Sequence, residues 1–164
     1  MSPGPVFGSV TRGMSPASVD VDSMPCPGPP DRVKTLEVET ERRTQLVDIT
    51  AQVRAAVAGA SGQLVTVFVP HTTAGIAVQA AGAGAAEVAA DVETAMERLV
   101  VDDWPWRHTS EGDRNPWAHV RALLTASSLT LPLVDGDLGL GRLQAVFLCE
   151  FDGPRTRTIQ LVMH

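Results

Sequence analysis

Three of the four histidines of this 164-residue chain stand in segments crowded with hydrogen-bonding side chains. His71 lies in Pro70-His71-Thr72-Thr73-Ala74-Gly75-Ile76-Ala77-Val78-Gln79. His108 and His119 bracket the string that begins Arg107-His108-Thr109-Ser110-Glu111 and ends Asn115-Pro116-Trp117-Ala118-His119. A neutral imidazole can ligate a metal or shuttle a proton near neutral pH, and Glu111 can complete a metal shell or orient a histidine. Three histidines with a nearby carboxylate suit zinc or another divalent metal, with one position left open for water or substrate. A lone histidine is more often structural than functional, but three beside small or capping residues shift the reading toward one shared site. His71, His108, His119 and Glu111 are therefore the candidate catalytic residues, and the three histidines the candidate metal ligands.

Further residues could shape a ligand site around them. If the first segment alternates as a strand, His71, Thr73, Gly75, Ala77 and Gln79 share one face while Ile76 and Val78 point to the core. Gly75 and Ala77 are too small to fill space, so a ligand or a neighbouring backbone can occupy that face. Asn115 and His119, four apart, fall on one helix face. Trp104, Trp106 and Trp117 flank the second segment, where a ring can stack on a heterocycle or serve packing. Thr73, Gln79, Trp106, Arg107 and Asn115 are the candidate ligand-binding residues. Glu150 and Arg155 face each other if Asp152-Gly153 is a hairpin turn, which makes them an ordinary cross-strand ion pair. Arg157 shares a face with Arg155, and a structural role is expected for both.

The elements that must position these residues can be read from periodicity. Residues 1–32 are rich in Pro, Gly and Ser and are expected to form a disordered tail; residues 33–164 form one domain. Leu36 and Val38 alternate with Glu37 and Glu39 as in a strand, and Gln45 to Ile49 forms a second strand or the rest of a bent one. Thr50 can cap a short helix bearing Val53, Ala56 and Val57. Leu64 to Val69 reads as a buried strand. Between Ala85 and Leu99 an apolar stripe opposes Glu87, Asp91, Glu93 and Glu97, an acidic face expected to be solvated. Asn115 as N-cap and Pro116 at the first helical position start a third helix. Strands follow at Ser128–Val134, Leu143–Phe151 and Arg155–Met163, with turns at Asp135-Gly136 and Asp152-Gly153. Segregated strands and helices predict an α+β domain with a largely antiparallel sheet and about three helices.

Composition narrows the function classes. A net charge of −6 with thinly spread basic residues argues against nucleic acid as a partner. No apolar run reaches the roughly 18 residues of a membrane span. The N-terminus lacks a basic region followed by an apolar one, and Cys26 and Cys149 form neither a disulfide framework nor a metal pair, so a cytoplasmic location is expected. No phosphate loop or G-x-S-x-G elbow is present, and Cys149 sits in a core-like run.

From about Thr35 to Val162 the chain resembles the YjbQ-like family, also called the secondary thiamine-phosphate synthase enzyme family. The resemblance rests on Asp48-Ile49-Thr50, His71-Thr72-Thr73-Ala74, the string from His108 to His119, Ser127-Ser128-Leu129, Leu140-Gly141 and Glu150-Phe151-Asp152-Gly153-Pro154-Arg155. It implies a compact α+β fold, a YjbQ-like sandwich, assembled as a homotrimer. It also implies a site around His71, His108 and His119 that can span subunits, and a weak capacity to form thiamine phosphate from a pyrimidine diphosphate and a thiazole phosphate. The implied ligand is a small anionic or phosphorylated metabolite; the alternative implied by the departures below is a non-catalytic trimeric module that binds a metal or small anion. Those departures are Gln79-Ala80 for the family's usual Asn-Glu pair, Gly141-Arg142-Leu143-Gln144 for its Gly-Thr-Trp-Gln, and Arg114 for an Asp. Loss of a catalytic carboxylate at Ala80 would weaken acid–base catalysis by a factor of about 100 or more.

Overall fold

The computed structural model describes residues 33–60, 62–109 and 114–164. The expected tail, Cys26 and Glu111 lie outside the described residues. The chain opens with β1 (Val33–Glu39) and β2 (Gln45–Asp48), two separate strands, then α1 (Thr50–Val57), β3 (Leu64–Phe68) and β4 (Ala74–Ala80). Two helices follow, α2 (Ala85–Leu99) and α3 (Pro116–Leu123), and the chain closes with β5 (Ser128–Val134), β6 (Asp137–Leu138), β7 (Gln144–Glu150) and β8 (Thr156–Met163). The fold is α+β, and every strand pairing is antiparallel.

The strands make two sheets, one of five in the order β1-β8-β3-β5-β6 and one of three in the order β2-β7-β4. A β-strand turns alternate side chains to opposite faces, and β7 is buried on both. Val146 and Leu148 enter the core between the sheets with Ile49, Val65, Val67, Ile76, Ile159 and Leu161. Ala145, Phe147 and Cys149 face the other way, packed with Ala89 of α2 and Ala118 of α3. The result is three layers, the five-stranded sheet, the three-stranded sheet and α2 with α3, while α1 packs Val53 and Val57 into the core between the sheets. Burying each of these large aliphatic side chains contributes about 1.5–3 kcal/mol, and this rather than local propensity holds the short strands in place.

Several local expectations are corrected. Ile49, not Thr50, occupies the N-cap of α1; the Thr50 hydroxyl instead accepts a hydrogen bond from the Val146 amide, 2.9 Å. The acidic face of α2 is not wholly solvated. Glu93 is buried, takes Arg42 Nη1 at 2.6 Å and accepts the Leu46 amide at 2.7 Å, so this carboxylate docks the helix onto β2. The turn after Glu150 does not close a hairpin, because β7 and β8 belong to different sheets. Glu150 therefore meets Arg157, not Arg155, and Arg155 pairs with Asp152 at 2.7 Å. By contrast the Asp135-Gly136 turn joins β5 to β6, both residues at positive φ as a two-residue hairpin demands.

Candidate functional site

Residues 104–108 and the start of α3 form two walls of a recess. Pro116 opens α3 at its first turn, where the missing amide costs nothing, and so fixes the direction in which His119 and Val120 project. Trp104, Pro105, Trp106, Arg107 and His108 supply the facing wall, and a cavity of about 580 Å³ lies between them. The His108 and His119 rings meet edge to face with centroids 5.5 Å apart. The Trp104 and Trp106 rings stand 5.9 Å apart, tilted by 41°. Apolar rings beside two imidazoles and a guanidinium suit a ligand with a planar ring and an anionic group. A second cavity, of about 320 Å³, lies against Asp102, Asp103 and Arg114 and shares Trp104, Trp106, His108 and Pro116 with the first.

His71 belongs to a different constellation. β4 begins only at Ala74, so His71 and Thr73 precede the strand rather than continuing its alternation. His71 Nε2 accepts the Thr158 amide at 3.0 Å, which fixes the tautomer with the proton on Nδ1. Burial, then the nearby Arg157 charge, lowers the His71 pKa below its ordinary value. Beside it Arg157 Nε reaches Glu150 Oε2 at 2.6 Å and Arg157 Nη2 donates to Thr73 Oγ1 at 3.0 Å, while the Thr40 hydroxyl donates to Glu150 Oε2 at 3.1 Å. Glu150, Arg157, Thr40 and Thr73 are all buried, so this network fastens the two sheets together.

Among the described residues the structure thus brings four of the candidate site residues together, Trp106, Arg107, His108 and His119, and leaves His71, Thr73, Gln79 and Asn115 off the recess wall. Thr73 is buried in the ion-pair network. The Gln79 side-chain Oε1 accepts the backbone amide of the next residue, Ala80, at 2.9 Å. Asn115 holds the N-cap position of α3 without a side-chain cap bond; its Nδ2 donates to Asp152 Oδ2 at 2.8 Å, and its Oδ1 is buried with no partner among the described residues. The small-residue face of β4 is filled by protein: a Cβ on Gly75 would overlap the Thr125 hydroxyl and come 2.9 Å from the Ala126 carbonyl.

A three-histidine metal centre does not fit this arrangement within one chain. His71 is committed to Thr158, and among the described residues no three of His, Cys, Asp and Glu are grouped to hold a metal ion. Cys149 offers no alternative nucleophile, since burial pushes its thiol up to about 12. No helix among the described residues is long and apolar enough to cross a membrane.

Sequence reasoning missed the Glu150–Arg157 pair and the Asp102–Arg121 pair, the latter 3.0 Å between Asp102 Oδ1 and Arg121 Nη2. Pro154 was the available signal for the first, because a residue without an amide directly after the turn cannot join a tight hairpin ladder. Nothing in the spacing of Asp102 and Arg121 marks the second.

The family model described as UPF0047 protein YjbQ-like matches residues 34–164. The UPF0047 protein YugU of Bacillus subtilis is 35% identical over 137 residues, covering 80% of this chain and 98% of that protein. A UPF0047 protein of Archaeoglobus fulgidus is 37% identical over 124 residues, 76% of this chain and 94% of its own length. Among solved structures, a conserved hypothetical protein of Thermus thermophilus superposes with a TM-score of 0.72 at 40% identity, covering 80% of this chain and 99% of that one. A YbjQ-like protein of unknown function from Sulfolobus solfataricus gives 0.73 at 30% identity, with 80% and 94% covered.

Proposed function

The chain belongs to the YjbQ-like UPF0047 family, and on that footing we propose that it binds a ring-bearing phosphorylated metabolite between Trp104 and His119 and supports, weakly, the formation of thiamine phosphate. The observation that carries this reading is the paired His108 and His119 rings on the wall of a cavity that also holds Trp104, Trp106 and Arg107. In the reaction the thiazole nitrogen forms a bond to the methylene carbon of the pyrimidine. The carbon–oxygen bond to the diphosphate breaks, and the leaving group departs with the electron pair. Arg107 and the histidines would hold the phosphate oxygens through charge-assisted hydrogen bonds, one histidine giving a proton to the departing diphosphate. A tryptophan face would stack on the heterocycle.

A homotrimer is part of the same reading. A site that used all three histidines would draw His71 from a neighbouring subunit and use its Nδ1–H as a donor, since Nε2 holds the Thr158 amide in every copy; light scattering of the purified protein measures the assembly directly. The competing reading is a binding module without turnover, favoured by Ala80 where the family usually carries a carboxylate. Incubation of the protein with the pyrimidine diphosphate, the thiazole phosphate and magnesium separates the two. Thiamine phosphate formed above a His108→Ala, His119→Ala control supports the transferase. Saturable binding with no product leaves the module, and neither binding nor product sinks both.

A further inference from the structure

Asp102 is gripped from two sides. Arg121 Nη2 lies 3.0 Å from its Oδ1 and Arg43 Nη2 lies 2.6 Å from its Oδ2, so both carboxylate oxygens are engaged by guanidinium groups. The two arginines come from separate parts of the fold: Arg43 from the connection between β1 and β2, Arg121 from α3, two residues beyond His119. Arg121 is only 1% exposed. It donates to the Val100 carbonyl from Nε at 3.1 Å and from Nη2 at 2.6 Å, and from Nη1 to Thr44 Oγ1 at 3.2 Å. Arg43 in turn lies over the Trp117 ring, 5.4 Å from its centroid.

The segment that starts at Val100 has little else to fix it. Among the described residues the Val100 amide continues α2 by donating to the Met96 carbonyl at 3.1 Å; beyond it the backbone bonds are local, Trp106 to the Trp104 carbonyl and Thr109 to the Arg107 carbonyl, and the Trp106 indole N–H donates to the Val101 carbonyl at 3.2 Å. Trp104 is more than half exposed. Besides the edge-to-face contact of the His108 and His119 rings, what ties this wall of the recess to α3 is the Arg121 guanidinium on Val100 and Asp102, reinforced by Arg43. Resting on the reading of the recess as the ligand site, we infer that Asp102 is its positioning residue: bridged by Arg43 and Arg121, the Asp102 carboxylate holds the Trp104–His108 wall against the α3 wall that bears His119. Asp102 does not line the cavity that holds His108 and His119, so it acts on that site through the two arginines. Charge-assisted, partly buried bonds of this kind are the stronger class, which is why a short segment with so few backbone ties can stand in one place.

The chain carries a built-in reporter for this inference. Its three tryptophans, Trp104, Trp106 and Trp117, all sit at the recess or under Arg43, and there is no tyrosine. Acrylamide quenching of the intrinsic fluorescence of the intact protein, without ligand, reads the closure of this wall. Asp102→Asn is expected to steepen quenching about twofold by loosening the segment while far-UV circular dichroism keeps the native spectrum, and Asp102→Glu, which keeps the charge, to stay near wild type. Thiamine phosphate, as probe, is expected to bind about tenfold more weakly to the Asn variant, since misplacing a wall of a site costs affinity even when no contact residue changes. Quenching of a folded Asp102→Asn protein equal to wild type would overturn the inference. Should that variant lose its native spectrum, Arg43→Gln removes only the half-exposed arm and is read on a Trp117→Phe background, so that uncovering Trp117 does not contribute; quenching is expected to steepen less, and no change there overturns the inference equally. If wild-type protein fails to bind thiamine phosphate, the functional reading falls, while the quenching comparison still decides the role of Asp102.

Discussion

The His108 ring stands edge-on to the His119 ring, centroids 5.5 Å apart and planes inclined by 74°, although the two residues come from a loop and a helix separated by Pro116. Neither ring is buried, and neither belongs to the two hydrophobic clusters of the core. His108→Asn and His119→Asn are therefore expected to change stability by less than about 0.5 kcal/mol, while each cuts thiamine phosphate formation by about 100-fold or more. Chemical denaturation beside product chromatography checks both halves. A stability loss as large as the activity loss would assign the rings to folding.

The buried pair behaves in the opposite way. Glu150 is fully buried and Arg157 is 5% exposed, so Glu150→Gln leaves a cation uncompensated between the sheets. It is expected to cost about 3–5 kcal/mol, and Glu150→Gln combined with Arg157→Met to recover part of that, because removing both charges costs less than stranding one. Urea unfolding of the two variants measures the difference; a double variant no more stable than the single one contradicts the account.

Acid should weaken the fold through His71. Burial first, and Arg157 second, lower its folded-state pKa below the ordinary 6.5, so the unfolded chain takes up the proton at higher pH than the folded one. The stabilisation is complete above the unfolded pKa and is lost as pH falls through it toward the lower folded value, where protonation would also remove the acceptor that Thr158 uses. Between about pH 7.5 and 5 the melting temperature of wild type should fall more than that of His71→Gln, whose side-chain carbonyl can still accept the Thr158 amide. Parallel curves for the two proteins would remove His71 from the explanation.

Gly75 faces not a ligand but the segment after α3. Gly75→Ala pushes a methyl group into the Thr125 hydroxyl and the Ala126 carbonyl, and is expected to destabilise by about 1–3 kcal/mol. Thermal melts of Gly75→Ala with and without Thr125→Gly check the cause, because removing the Thr125 side chain should restore part of the loss.

What the sequence revealed, and what it hid, follows from the range of the interactions. α2 was legible to its ends because an apolar stripe repeats along it, and the β5–β6 turn because only Asp135-Gly136 fits two left-handed residues. The role of Glu93 was not, since nothing in a solvated-looking face announces that Arg42, 51 residues away, arrives to pair with it. Glu150 was assigned the wrong arginine because strand alternation treats β7 and β8 as neighbours, whereas the chain crosses from one sheet to the other between them. In the site, residues close in sequence are found together, Trp106, Arg107 and His108 with His119, while the grouping of His71 with them rests on residue type, on its small and capping neighbours and on the family resemblance, none of which encodes distance within one chain.

The central claim is that the recess between Trp104 and His119 is a ligand site, and calorimetric titration of the wild-type protein with thiamine phosphate tests it most directly. The account predicts saturable binding at one site per chain that is lost in the His108→Ala, His119→Ala double variant and retained in His164→Ala, whose ring bonds Thr66 rather than lining the recess. Equal binding by wild type and the double variant, or no heat from wild type at all, would contradict it.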